Sequence, residues 1–285
     1  MTARELSAEL HLVQELVTGL VEELDDESYR RQYHPDLSAL GWHLGHCTYI
    51  ECYWLQEVLQ QDDRFTAPVR ELYTPPLTPK PERGNKIPAP DAMLQWVHEL
   101  QSLNYEAMAA PGISEHPLMQ DDYLVHFLTQ HYSQHYENMI MVLTQQALAQ
   151  TVPDYPVENP LQANAPAAAS VSIPAGHYRV GGQAPLAYDN ELPAQQATLG
   201  PYRIASKPVC NGEFLAFMED GGYTRQDLWS APGWQWLQQE MPTGPQHWRR
   251  NAAGHWHGIG LRGGYELHAD DVLNGISRHE AQAYA

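Results

Sequence analysis

The stretch DDYLVHFLTQHYSQHYENMIMVLTQQALAQ, residues 121–150, holds thirty residues without a glycine or proline, which marks one long helix. Within it, His131 and His135 stand four residues apart, a rotation of about 400°, so both imidazoles project from one face a single turn apart. Two ligands of one metal ion need that placement. Glu137, two residues past His135, points about 200° away and cannot share their face, and His126 points about 140° from His131.

Three more helices are expected upstream. Leu10, Val13, Val17, Leu20 and Leu24 recur at three- and four-residue steps and predict a helix over 8–24. Pro35 precedes a second helix over 37–60, and a third covers 89–110 after a proline-bearing loop. Four helices with unequal connections suggest a bundle of residues 1–150. The segment 151–170, rich in Pro, Ala and Asn, reads as a linker, and 171–285 as a loop-rich domain of short strands and helices. VSIPAGHYRVGG (171–182) suggests a hairpin or two short strands, ATLGPYRIASKPV (197–209) another strand region, and CNGEFLAFMEDGG (210–222) a short helix ending at Gly221 and Gly222. The fold class is therefore α+β.

Composition removes several function classes. Sixteen Lys and Arg against 35 Asp and Glu leave a net charge of −19, unsuited to nucleic acid or to an anionic membrane surface. No apolar run approaches the roughly 18 residues of a membrane helix. Cys47, Cys52 and Cys210 form neither a repeated CxxC pattern nor an even set, which fits a reducing, cytoplasmic setting. Fifteen histidines nearly equal the basic residues in number, and neutral imidazole is the commonest metal ligand.

A third ligand must come from another helix. His46, mid-helix among apolar and aromatic residues in GWHLGHCTYIE, is the leading candidate, with His43 a rival three residues earlier. Three histidines converging in a bundle would bind Fe(II), Zn(II) or a similar ion and leave coordination positions open. Cys47 and Cys52 read as buried small hydrophobes.

The HxxxHxE stretch 131–137 and SALGWHLGH (38–46) resemble the DinB-like iron-binding bundle of ergothioneine-type sulfoxide synthases, the EgtB-like family. IPAGHYRVGG, AYDNELPAQQATL, KPVCNGEFLAFMEDGGY and SRHEAQAYA resemble, in the same order, the sulfatase-modifying-factor (formylglycine-generating-enzyme, C-type-lectin-like) domain that follows that bundle in the family. The resemblance implies that His46, His131 and His135 ligate Fe(II), and that Lys80, Arg83 and Lys86 in the loop before the third helix face the carboxylates of a thiol substrate. It implies an O₂-dependent enzyme joining the sulfur of cysteine or γ-glutamylcysteine to the imidazole of hercynine, as the sulfoxide. Selenoneine synthase, with a selenosugar donor, shares the architecture. Departures occur at Gln195 and Gln196, where members often carry histidine, and at Cys210, where they carry threonine. Because the resemblance ends at HEAQAYA, midway through the second domain, the family's catalytic tyrosine is expected beyond Ala285. A metal-binding but catalytically incomplete protein, or a zinc site of thiol-transferase type, are the competing expectations.

Overall fold

The computed structural model describes residues 3–150, 154–165 and 169–285. The chain divides into two compact units, one running to Gln146 and taking in Arg179–Ala197, the other comprising Ala147–Tyr178 and Thr198–Ala285.

The first unit is helical. Helix α1 (Ala3–Glu22) buries Leu10, Gln14, Val17 and Val21, a four-three-four spacing that lays one face on the core. Asp25 caps α2 (Asp26–Arg30) by accepting the Ser28 N–H at 2.7 Å. Helix α3 (Leu40–Cys52) is buried all round, with only Ile50 half-exposed, and is the central helix of the unit. It continues as π-helical turns over Tyr53–Val58. Gly41 and Gly45 make its burial feasible: a Cβ would stand 2.1 Å from the Tyr29 ring at the first and 2.4 Å from the Tyr73 ring at the second.

Between α3 and α6 (Pro90–Met108), the proline-bearing stretch read as a loop contains α4 (Arg70–Tyr73) and α5 (Lys80–Lys86). Pro81 lies in the first turn of α5, where a missing N–H costs nothing. Helix α7 (Tyr123–Ala149) closes the bundle. At its centre the Glu51 carboxylate of α3 accepts hydrogen bonds from Gln14 of α1 (2.8 Å), Asn104 of α6 (3.0 Å) and Tyr132 of α7 (2.6 Å), so one side chain ties all four long helices together.

The chain after α7 forms small sheets and short helices. Strand β1 (Ser170–Ile173) is followed within two residues by β2 (Gly176–Val180), but the two do not pair. β2 joins β3 (Gln195–Leu199), while β1 runs antiparallel to β4 (Tyr202–Ala205). Helices α8 (Asn211–Glu219) and α9 (Ala231–Glu240) precede an antiparallel meander of β5 (Trp248–Arg250), β6 (Trp256–Gly260) and β7 (Gly263–Tyr265). Helix α10 (Arg278–Tyr284) opens on a Ser277–Glu280 capping box. Leu215, Trp248, Trp256 and Leu267 form one small core, and Trp229, Leu237 and Ala283 another.

Of the stretch read as a linker, 151–153 and 166–168 lie outside the described residues. Residues 154–165 run along the second unit, where the Tyr155 carbonyl accepts from Asn251 at 3.1 Å and Glu266 accepts from the N–H groups of Glu158 and Asn159. Among the described residues no helix is long and apolar enough to cross a membrane.

Candidate metal centre

Helix α3 presents His46 to the face of α7 that carries His131 and His135, and one ring nitrogen from each lies within 4.8 Å of the others. The ring centres are 4.6–5.2 Å apart in all three pairs. Metal–nitrogen bonds of about 2.1 Å would bring the three nitrogens to separations of about 3–4 Å, so closing on an ion asks each ring to move by less than about an ångström. The donor set is all imidazole, neutral, and suited to a first-row transition metal.

Each ring is oriented by a different device. His46 Nδ1 lies 2.7 Å from the Tyr73 carbonyl, which can only accept, so Nδ1 carries the proton and Nε2 keeps a free lone pair. The Tyr73 ring packs where only Gly45 leaves room, which links a glycine on α3 to the orientation of its neighbour. The indole of Trp42 stacks on His46 and donates Nε1–H to the Leu72 carbonyl at 2.8 Å. His135 Nδ1 shares a 2.9 Å hydrogen bond with His43 Nδ1. His131 stacks on Phe127, and its Nδ1 is buried without a protein partner.

Burial sets the protonation. It lowers His43 and His131 to about 3 and His46 to about 4, with neighbouring histidines adding a smaller push for His43 and His131 and Arg83 one for His43 and His46. His135 is lowered further, by burial first and then by His131, His46 and His43. All four rings are therefore neutral at ordinary pH, the state that coordinates metal.

One side of the centre is open. His131 borders a cavity of about 220 Å³ walled by Phe127 and Gln134 of α7 and by Ala187, Tyr188 and Asp189 of the 179–197 segment. Gln130 fastens that segment to α7 by donating to the Leu186 carbonyl at 2.7 Å.

The other candidates fall elsewhere. Glu137 is exposed, and neither His126 nor Glu137 joins the cluster. Cys47 and Cys52 are buried free thiols, both raised by burial, the latter to about 12, and stand outside it as well. Lys80, Arg83 and Lys86 lie on α5, not on a loop. Only Arg83 is buried: it donates to the Thr78 and Pro75 carbonyls and to Ser38 Oγ, and its guanidinium lies 3.9 Å above the Trp42 ring. Lys80 donates to the Asp36 carbonyl, and Lys86 pairs with Glu82 in solvent. His43, the rival ligand three residues before His46, reaches His135 instead, a contact the sequence does not mark; the Tyr73 carbonyl and the wall of Pro185, Ala187, Tyr188 and Asp189 leave no signal in the sequence either.

Two family models cover most of the chain. Residues 9–139 match the DinB superfamily and residues 156–285 the sulfatase-modifying factor enzyme 1-like domain. The hercynine oxygenase of Mycolicibacterium smegmatis is 32% identical across the whole chain, which spans 66% of that relative's length. That of Mycolicibacterium thermoresistibile is 29% identical over 92% of the chain and 58% of its own length. A 106-residue stretch is 39% identical to the hercynine oxygenase of Mycobacterium tuberculosis, covering 35% of this chain and 23% of that one. With a DinB-type bundle carrying a three-histidine cluster, a sulfatase-modifying-factor domain after it, and a hercynine oxygenase that aligns across both, the chain belongs to the EgtB-like family.

Proposed function

We propose that this chain carries the metal centre of a non-haem Fe(II), O₂-dependent sulfoxide synthase that joins a cysteine-type thiol, cysteine or γ-glutamylcysteine, to the imidazole of hercynine. The observation that carries this reading is the convergence of His46, His131 and His135 in a bundle whose relatives are named hercynine oxygenase. Iron bound there would supply the redox chemistry towards O₂ that zinc lacks, and three neutral ligands leave positions free for substrate. His46 would bind through Nε2, because Tyr73 holds its Nδ1 proton.

The surrounding residues have separable tasks. Phe127 and the 185–189 wall limit solvent on the open side, next to His131. Arg83, with Lys80 and Lys86 on the same short helix, is proposed to meet the thiol substrate's carboxylates; three of its five N–H groups are committed to the protein, leaving two for a ligand. Residues 1–150 are the proposed metal-binding domain, 151–170 the connection and 171–285 the start of the second domain, in a cytoplasmic protein.

The deciding experiment loads the protein anaerobically with Fe(II). Hercynine is added with cysteine, γ-glutamylcysteine or a selenosugar, followed by O₂. An oxygen-dependent sulfoxide from a thiol supports the proposal, and a selenium-linked product from the selenosugar alone moves it to selenoneine synthesis. Iron binding with no coupled product from any pair would mean a metal-binding protein without this activity.

A further inference from the structure

His43 is the one histidine at the centre that belongs to neither the ligand cluster nor the solvent. It is 5% exposed, sits one turn before His46 on α3, and reaches across to α7. Its Nδ1 lies 2.9 Å from His135 Nδ1, and its Nε2 is buried without a partner. Two neutral imidazoles at that separation must divide the roles: one nitrogen carries the proton and the other offers its lone pair.

The division has two versions with different consequences. If His43 donates, the proton of His135 sits on Nε2, and that nitrogen cannot ligate. If His135 donates, its Nε2 lone pair is free, and the proton of His43 resides on its own Nε2. Only the second version is compatible with His135 as a ligand, and in it the hydrogen bond survives metal binding unchanged. Because His43 and His46 lie on one helix, α3 would supply both a ligand and the brace for a ligand on α7.

We infer that His43 is a positioning residue of the metal centre: by accepting the Nδ1–H of His135 it fixes the tautomer and the ring angle that present His135 Nε2 to the ion. This rests on the reading of His46, His131 and His135 as ligands. Partners of this kind typically change metal affinity by about 10–100-fold when removed.

The test uses the full 285-residue chain and two substitutions of similar shape. His43→Asn places an amide oxygen where Nδ1 was and keeps the acceptor, whereas His43→Leu puts a methyl there. Binding of Co(II) and Zn(II) is measured by chelator competition, and the visible spectrum of the Co(II) form reports ligand geometry. His43→Leu is expected to bind about 10–100-fold more weakly with an altered spectrum, and His43→Asn to recover most of the loss. In the Zn(II)-loaded wild type with ¹⁵N-labelled histidine, His135 is expected as the Nδ1–H tautomer and His43 as the Nε2–H tautomer.

Wild-type affinity in His43→Leu, equal weakness in His43→Asn, or a proton on His43 Nδ1 in the loaded protein would each overturn the assignment. Should His43→Leu not fold, the tautomer measurement decides alone. If wild type and His131→Ala bind Co(II) equally, the three-histidine site itself is wrong. If His131→Ala loses binding while His43→Leu keeps it, only the role of His43 falls.

Discussion

The Trp42 indole lies flat on the His46 imidazole, with ring centres 4.7 Å apart and planes within 10°, and the Arg83 guanidinium lies over the same indole, 3.9 Å from the ring centre. The indole thus links the guanidinium of α5 to the imidazole of the histidine cluster. Arg83→Lys keeps the charge but loses the planar fork that serves Thr78, Pro75 and Ser38. It is expected to cost about 2–4 kcal/mol in denaturant unfolding, with a weaker but measurable loss of Co(II) affinity. Unchanged stability would show that the fork's bonds contribute nothing.

His46→Ala, His131→Ala and His135→Ala should each abolish stoichiometric metal binding, whereas His126→Ala should retain it. Metal content after loading and desalting distinguishes the four. Equal loss in all would place the site elsewhere, and retained binding in any of the first three would remove that residue from the ligand set.

Acid should unfold the metal-free chain early. Burial holds His43, His46 and His131 well below their ordinary 6.5, at about 3, 4 and 3. The unfolded chain therefore takes up protons first as pH falls, so stability is complete above about 6.5 and drains away between about 6.5 and 3. Denaturant titrations at a series of pH values should show unfolding free energy falling from about pH 7.5 to about pH 5. A level response over that range contradicts the neutral burial of these rings.

Glu51 is the other buried ionisable group at the centre of the bundle. Burial raises its carboxyl above the ordinary 4.5, while the bonds from Tyr132, Asn104 and Gln14 act in the opposite direction. Glu51→Leu would strand three buried donors and is expected to cost about 3 kcal/mol or more, with Glu51→Gln costing less because one acceptor oxygen remains. The comparison is made by denaturant unfolding of the two variants. A Leu variant as stable as the Gln variant would show that the donors find other partners.

The reach of the sequence follows physical lines. The spacing of His131 and His135 fixes their common face on any helix, and the run 121–150 without glycine or proline marks α7 to within two residues at each end. The stretch containing α4 and α5 misled because its prolines look like breakers, although Pro81 occupies a first turn, where proline is compatible with a helix. VSIPAGHYRVGG suggests a hairpin because its two strands are adjacent in sequence, yet each pairs with a later strand. What Arg83 touches, and which imidazole His43 meets, depend on how α3, α5 and α7 pack. No local pattern encodes that.

The wall formed by Ala187, Tyr188 and Asp189 has a consequence for how this protein can be divided. Those residues are reached only after the chain has left the bundle and passed through β1 and β2, and then they are fastened back on α7 through Leu186. A bundle cut after residue 146 would keep His43, His46, His131 and His135 and lose one side of the cavity next to His131. The two stretches of the chain are therefore not interchangeable cassettes: the cavity beside His131 is walled partly by residues that follow β2, and a new bundle would have to match the Gln130–Leu186 hydrogen bond as well as the histidine cluster.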